Sequence, residues 1–306
     1  MKLDTVTDSV LNVIDGSFSQ SGAFNLRYNG AALCHSDSEN IRIEKKTDNP
    51  GINIYISGSA QGETVHIPVV ISESGMTDIV YNDFYIEDGA NVLINAGCGI
   101  HNDGCGDSRH DGIHSFHIGE NCVVTYEENH YGEGGGTGGR ILNPVTRIFI
   151  GKNSVFNLNT SQIEGVDSTV RETYVELAED AKVYVMEHLL TSGQQRAESN
   201  MSVRLTGGGS GAQIVSRSVA KDASEQKFHP KAIGSCRCQA HIQCDSIIMD
   251  NAKICSIPEI DAQDVDAQIV HEAAIGRINS EQLTKLRTFG LSEQEAETVI
   301  IDNFLK

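Results

Sequence analysis

The sequence predicts a mainly β protein folded as a right-handed parallel β-helix, with a short helical segment at the C-terminus. Three observations predict this: alternating apolar strands recur around tight turns, the chain has 30 glycines and no tryptophan, and helical patterns are weak before residue 277. The repeat has a period of about 30 residues, which is typical of solenoids. Strand-only repeats with Gly, Asn or Asp turns favour a β-helix, because each coil offers its backbone edge to the next.

Four segments carry the repeat most clearly, each an alternating strand, a turn and a second alternating strand. A small residue follows each turn, which lets neighbouring coils stack closely. Two looser copies lie at residues 202–219 and 242–257. The four clear segments begin at Phe84, Phe116, Ile148 and Tyr174, and the small residues after their turns are Ala90, Cys122, Ser154 and Ala181.

The chain divides into three predicted parts. Residues 1–80 begin with a weak helical pattern and continue as short strands separated by polar turns. Residues 81–276 form the β-helix core. Residues 277–306 carry two short amphipathic helices, the first capped by Ser280 and the second by a capping box of Ser292 and Glu295. Two such helices cannot bury both apolar stripes alone, so we expect them to pack on the solenoid end or on a partner.

The composition limits the function classes. The chain of 306 residues carries 42 acidic and 23 basic side chains, a net charge of -19, which disfavours nucleic-acid binding. The N-terminus does not resemble a signal peptide, and no apolar run approaches the roughly 20 residues that span a bilayer. We therefore expect a cytoplasmic protein without membrane contact. In that reducing compartment, 8 cysteines indicate metal or sulfur chemistry rather than disulfides.

The densest set of potential metal ligands lies in residues 236–276. Cys236, Cys238 and Cys244 have even spacings, so one continuous strand would place all three thiols on one face, whereas a turn near residues 239–240 would break that register. His271 and Glu272 follow. Thiolate, imidazole and carboxylate groups together are what iron and zinc bind.

A second group of potential ligands lies at residues 98–130. Cys98, His101 and Cys105 on a glycine-rich stretch have metal-like spacing, but that spacing suits several metals. The density of His and Cys indicates either a metal or sulfur role or a structural one. The other members of the group are Asp107, His110, His114, His117, Cys122 and His130.

Two runs near the C-terminus identify a family resemblance. CDSIIMDNAKICSIPEIDA begins at Cys244 and VHEAAIGRI contains His271 and Glu272. Both closely resemble the C-terminal core of the SufB/SufD proteins, scaffolds on which iron–sulfur clusters are assembled. The runs NHYGEGGGTGGRILNPVTR and HLLTSGQQRAESNMSVRL are similar to that core too. The resemblance covers about residues 80–306 and implies a β-helix in the compact form of the family, without a long N-terminal extension.

The resemblance implies that the chain is a scaffold of a SUF-type system and not an enzyme. It implies a homodimer that works with an ABC-type ATPase called SufC, which docks on the C-terminal helices. It implies that Cys244 and Glu272 lie near the subunit interface and hold a transient [4Fe–4S] cluster, with His271 beside them. Two copies would then complete four ligands by symmetry. A mixed thiolate and carboxylate set should release the cluster to recipient apo iron–sulfur proteins more easily than four thiolates.

One departure from the family concerns sulfur delivery. Many SufB proteins carry a sulfur-accepting cysteine before the G-x-N-S turn, but Phe149 or Ile150 stands at that position here. Sulfur would then enter through another thiol or arrive as free sulfide. The candidate thiols are Cys98, Cys105, Cys236 and Cys238. The last two match no family motif, so they are auxiliary sulfur carriers, extra ligands or ordinary strand thiols.

Alternative functions remain open. One is a zinc- or metal-stabilised structural β-helix protein that uses the 98–130 group. Another is a carbohydrate-active β-helix enzyme, which needs carboxylates in a groove and is disfavoured because aromatic residues are only 6% of the chain. In the simplest case Cys244 is a buried core thiol and His271 and Glu272 are a surface pair. The glycine run at 134–139 lacks the Lys-Ser/Thr of a P-loop, so we do not expect ATP hydrolysis by this chain.

Overall fold

The computed structural model describes residues 4–306, which form a parallel β-solenoid of about 8 turns with short C-terminal helices. In chain order, the elements are α1 (Thr5–Ile14), β1 (Ala23–Tyr28), β2 (Ala31–Ser36), β3 (Ile41–Lys45), β4 (Gly51–Ile56), β5 (Gln61–His66), β6 (Val69–Ile71), β7 (Thr77–Ile86), β8 (Asn91–His101), β9 (Ser108–Ile118), β10 (Val123–Glu133), β11 (Arg140–Leu142), β12 (Val145–Ile150), β13 (Val155–Glu164), β14 (Ser168–Leu177), β15 (Lys182–Thr191), β16 (Arg196–Leu205), β17 (Gly211–Ala220), β18 (Glu225–Gly234), β19 (Gln239–Ile248), β20 (Lys253–Ser256), β21 (Glu259–Ala262), β22 (Gln268–Gly276), α2 (Ser280–Thr288) and α3 (Glu293–Phe304). The predicted fold class is confirmed.

Two long sheets form the walls of the solenoid. Sheet A has the strand order β2-β1-β5-β8-β10-β13-β15-β17-β19-β22, with β6 beside β1 and β8. Sheet B has the order β20-β18-β16-β14-β11-β9-β7-β4-β3, with β12 beside β9 and β14, and β21 beside β18. The chain alternates between the sheets through the core, and its core strands pair in parallel with the strands one coil before and after. The two hairpins near the N-terminus, β1–β2 and β3–β4, are antiparallel.

The turns between coils repeat one backbone conformation. Five turns from sheet B to sheet A place Gly, Asn or Asp in the left-handed region, which these residues adopt at the least cost. These left-handed residues are Gly89, Asn121, Asn153, Asp180 and Gly209, with φ between 55° and 82°. The small residues predicted after four of the turns are buried, and the Ser154 hydroxyl donates to the Gly119 carbonyl at 2.7 Å. The predicted repeat therefore matches the stacked turns.

The N-terminal helix α1 packs on the outer face of sheet A. Val10 and Ile14 lie over Gly97 and Gly99 of β8, where an added Cβ would come within 2.6 Å of their side chains. The weak helical pattern predicted for the first 30 residues is this helix. The following strands β1–β6 extend the two sheets of the core.

The C-terminal helices pack on the side of the solenoid. Ile301 of α3 is buried against Val219 on the outer face of sheet A, while α2 buries none of its side chains. The capping box of Ser292 and Glu295 is present. The predicted cap of the first helix is wrong by one residue, since the Asn279 side chain accepts from the Glu281 amide and Ser280 lies within the helix. In residues 4–306, no helix combines the length and apolar character needed to cross a membrane.

Candidate functional site

Cys244 lies inside the solenoid near its C-terminal end. It is on β19 of sheet A, faces the core and is 3% exposed. It ends an inward-facing row of polar side chains that occupy the same register position on successive strands of sheet A. All are buried, so the interior beside this row is polar. In order along the solenoid, the row consists of Glu128, Thr160, Glu187, Ser216 and Cys244.

The Cys244 thiol contacts His271 on β22. The Cys244 Sγ and His271 Nε2 atoms are 3.3 Å apart, a hydrogen-bonding distance for sulfur. Burial raises the pKa of Cys244 to about 11, and burial with the nearby His241 lowers the pKa of His271. At neutral pH the pair is therefore a thiol and a neutral imidazole, whose nitrogen can accept the thiol proton or bind a metal ion.

Glu272 lies on the opposite face of the same sheet. Its neighbour in register is Gln243 rather than Cys244, so strand alternation directs its side chain outward. The carboxylate is 66% exposed, and its Oε2 lies 3.6 Å from His241 Nε2. Within one subunit the structure thus brings Cys244 and His271 together and places Glu272 beside His241.

Cys236 and Cys238 lie in the turn before β19. Cys238 is buried on the same core side as Cys244, but six residues of extended chain put them about 20 Å apart. The Cys236 thiol donates to the Gly207 carbonyl at 3.1 Å. Burial and the neighbouring Cys236 thiol raise the pKa of Cys238. These two thiols therefore lie close to each other and away from the Cys244 site.

Strand alternation divides the second predicted group, residues 98–130, into two sets. Cys98, His110, His114 and His130 face the interior and are each at most 4% exposed. The buried Cys122 thiol contacts the Glu87 carbonyl in a turn at 3.1 Å, which is a structural role. Outside the core lie His101, Cys105, Asp107 and His117.

Two of the buried histidines belong to ionic networks: His110 to that of Asp78 and Arg27, and His130 to that of Glu128 and Arg171. His110 Nδ1 lies 3.1 Å from Asp78 Oδ2, and Arg27 Nε donates to the same oxygen at 2.8 Å. Although burial opposes the charge, hydrogen bonds from Arg27 and His110 hold the pKa of Asp78 well below its usual range. One coil further on, Arg171 forms a buried ion pair with Glu128.

His114 has no hydrogen-bond partner at either ring nitrogen, and His110 Nε2 has none either. Burial is the main cause that lowers the pKa of His114, to about 4. In the described part of the chain, no three His, Cys, Asp or Glu side chains are grouped so that they could hold a metal ion. Any metal or cluster bound by such residues in one subunit would therefore need further ligands from a second chain or from the cargo itself.

Sequence reasoning did not identify the polar row that ends at Cys244. The sequence did contain a signal for it. In the run from Val183 to Glu187, the alternation that buries Val183 and Val185 also directs the Glu187 side chain inward. Glu187 accepts from Ser216 Oγ at 3.1 Å, and its Oε1 lies 3.8 Å from Arg171 Nε. His241, the outer partner of Glu272, was not predicted as a site residue either.

Comparison with known proteins decides the family. Residues 87–304 match the family model described as SUF system FeS cluster assembly, SufBD core domain. The chain belongs to the SufBD family. This membership places it in iron–sulfur cluster assembly, as the resemblance at the CDS and HEA motifs predicted.

Curated SufBD relatives cover most of the chain. An iron–sulfur cluster assembly SufBD family protein of Methanocaldococcus jannaschii is 26% identical over 272 residues, 87% of this chain and 85% of the relative. A relative from Methanothermobacter thermautotrophicus is 26% identical over 257 residues, 81% of this chain. One from Pyrococcus horikoshii is 28% identical over 204 residues, 65% of this chain. The chain spans 60% of the length of each of these last two relatives.

Proposed function

We propose that this SufBD chain is a scaffold on which an iron–sulfur cluster is built, with Cys244, His271 and Glu272 as its ligand set. The observation that carries the proposal is the contact between Cys244 Sγ and His271 Nε2 at 3.3 Å in the last coils of the solenoid. A soft thiolate and a borderline imidazole suit iron.

The open end of the solenoid supports a homodimer. Ile260 and Ile275 occupy inward-facing positions on the last coil, yet they are exposed because no further coil covers them. The last strands, β22 in sheet A and β20 and β21 in sheet B, also end the strand order and leave a free backbone edge. Proteins normally cover such edges, and a second copy would cover this one while bringing two ligand sets to one seam.

Cluster transfer requires that the cargo be held loosely. The Glu272 carboxylate is exposed beside His241 on the outer face, so it can join the cargo only at the edge of β22 or across the seam. A ligand set that mixes carboxylate, imidazole and thiolate binds iron less firmly than four thiolates. We propose a transient [4Fe–4S] cluster that is passed to apo iron–sulfur proteins.

The C-terminal helices are the proposed docking element for an ABC-type ATPase of the SufC kind. Helix α2 buries none of its side chains, and Phe289 at its end is exposed. ATP hydrolysis would belong to that partner, so the chain itself is a scaffold rather than an enzyme. All eight cysteines are free thiols in the structure, and we expect the scaffold to work in the cytoplasm, where thiols stay reduced.

The test is anaerobic reconstitution of the full chain with ferrous iron and sulfide, followed by iron, sulfide and mass analysis. We expect wild type to hold a cluster and Cys244→Ser to lose most of it, while Cys255→Ser, which removes an exposed thiol on sheet B, keeps it. Glu272→Ala should lower cluster content, and Cys236→Ser and Cys238→Ser test the auxiliary thiols. Full cluster content in both Cys244→Ser and Glu272→Ala would overturn the ligand assignment. Stoichiometric zinc without iron uptake would favour a metal-stabilised structural protein instead.

A further inference from the structure

An aromatic ladder runs along the outer face of sheet B. It consists of one ring from each of four successive coils, at the same register position. The ring centroids are 5.2, 5.2 and 5.5 Å apart, and neighbouring rings are within 16° of parallel. Because each inner ring is covered on both faces by its neighbours, only the two end rings can offer a face to another group. The ladder consists of Tyr55, Tyr85, His117 and Phe149.

A guanidinium already closes the first end of the ladder. The Cζ atom of Arg42 lies 4.6 Å from the centroid of the Tyr55 ring, which is the geometry of a cation–π contact. Arg42 also forms an ion pair with Glu44. The molecule therefore uses a stacked arginine, held by a carboxylate, to cover one terminal ring.

The other end of the ladder is open. Phe149 is 45% exposed, and the next register position on β14 holds Glu176 instead of a ring. A cavity of about 440 Å³ lies there, lined by Phe149 and Glu176 together with Thr206 and the backbone of the stacked turns. Among residues 4–306, no basic group forms an ion pair with Glu176. The cavity thus combines an uncovered ring face with an unpaired carboxylate.

We propose that this cavity binds an arginine side chain presented by a basic segment of a partner protein. A planar guanidinium can stack on Phe149 and donate two parallel hydrogen bonds to Glu176. The same three kinds of group meet at the opposite end, where Arg42 occupies the register position next to Tyr55 and pairs with Glu44; at the Phe149 end the carboxylate of Glu176 occupies that position and the arginine is missing. The net charge of -19 attracts basic segments and disfavours an acidic ligand or a nucleic acid.

Arginine fits the cavity better than lysine does. A lysine ammonium is a strongly hydrated point charge, whereas the flat guanidinium matches both the ring face and the fork of a carboxylate. The chain's own Arg204 is the register neighbour of Glu176, yet it forms no ion pair within the described residues. The site is therefore open to an arginine from outside the chain.

The experiment measures peptide binding to the full chain by fluorescence anisotropy. The probes are two labelled peptides, one with four arginines separated by Gly-Ser and one with four lysines in the same places. We expect the arginine peptide to bind about fivefold more tightly, the range of an exposed cation–π contact. Phe149→Ala should weaken arginine binding by about fivefold and Glu176→Gln by about tenfold, as for a charged hydrogen-bond partner.

Two matched controls separate the site from general charge attraction. Tyr174→Ala removes an exposed ring that lies on the same face of sheet B but outside the cavity. Glu164→Gln removes one negative charge at an exposed position that does not line the cavity. Both should leave arginine binding within twofold of wild type. Equal binding of both peptides, or no loss in Phe149→Ala, would overturn the proposal.

Discussion

Cys244 and Glu272 lie on adjacent strands of sheet A but face opposite sides of it. The thiol faces the interior and contacts His271, while the carboxylate faces outward beside His241. One metal ion cannot contact both side chains through the sheet of a single subunit. In the proposed dimer, a cargo shared by both side chains would therefore lie at the free edge of β22, where the second copy would supply further ligands.

The open end predicts that cluster content depends on dimerisation. Ile260→Lys places a charge on the uncovered last coil. If the second copy buries this position, the free energy of dimerisation should become less favourable by several kcal/mol, as for an unpaired interfacial charge. Sedimentation equilibrium should show a shift to monomer, and reconstitution should show a matching loss of cluster. Ile79→Lys, an exposed position at the other end of sheet B, is the control. A monomeric variant with full cluster content would contradict the shared seam.

The C-terminal helices predict a separable docking function. Phe289→Ser and Leu286→Ser remove apolar groups from α2, which packs none of its side chains against the solenoid. The free energy of unfolding of both variants should lie within about 0.5 kcal/mol of the wild-type value, as is usual for surface substitutions. Both variants should nevertheless lose co-purification with the ATPase. Ile301→Ser, in the buried face of α3, should instead lower the free energy of unfolding. Retained co-purification in the α2 variants would move the docking surface elsewhere.

The pKa of Cys244 predicts an alkaline loss of stability. Its folded pKa is raised to about 11, above the value of about 8.5 for an exposed thiol. Between these values the unfolded chain releases the proton and the folded chain keeps it. The free energy of unfolding should therefore fall by at most about 1.4 kcal/mol per pH unit from this group. Urea unfolding at pH 8 and pH 10 measures this. The free energy of unfolding should fall less between the two pH values in Cys244→Ala than in wild type, and an equal fall in both proteins would exclude the raised pKa.

The buried Asp78 network predicts a large effect from one substitution. Asp78→Asn leaves the buried Arg27 without its carboxylate, and loss of one partner of a buried ion pair typically costs about 3–5 kcal/mol. Chemical denaturation at pH 7 measures this. Because the folded pKa of Asp78 is held well below its usual range, the wild-type advantage should begin to shrink as the pH falls below about 4 and should be lost fully only once the folded carboxylate is itself protonated at much lower pH. Asp103→Asn, at an exposed carboxylate, should change stability little.

His114 predicts a gain in stability on removal of a polar group. Its two ring nitrogens are buried without partners, and its ring lies near Phe84 and Tyr126, at centroid distances of 6.2 and 6.0 Å. His114→Phe keeps a ring and removes unpaired polar atoms, so it should be neutral or stabilising. Since the folded pKa is about 4, the gain should grow as the pH falls from 6.5 to 4 and the unfolded histidine takes up a proton. A pH-independent loss would indicate a bound partner at this ring.

The repeat was predictable from the sequence because one pattern recurs in every coil. The alternation in each strand and the left-handed turn residue, such as Asn121 or Asn153, are local features that a reader of the chain can align. The same alternation predicted that Cys244 faces one side of its strand. The family resemblance predicted that His271 lies in the same site, but neither it nor the local pattern predicted the direct contact between the thiol and the imidazole.

The outward position of Glu272 could not be predicted in the same way. It depends on the register between β19 and β22, which is set by the coil that connects them. That register pairs Gln243, not Cys244, with Glu272. The division of the 98–130 group has a similar origin, because spacing alone does not show which strand residues face the core. A polar interior also contradicts the usual expectation that inward positions are apolar.

The stacked turns give the molecule a modular length. Each coil begins and ends at equivalent backbone positions, and each adds one strand spacing of about 4.8 Å to the solenoid axis. Gain or loss of a whole coil would therefore move the end of the solenoid that carries Cys244 relative to α1 by a fixed step and leave the hydrogen-bond ladder intact. A chain built in this way can keep the same end chemistry on a body of different height.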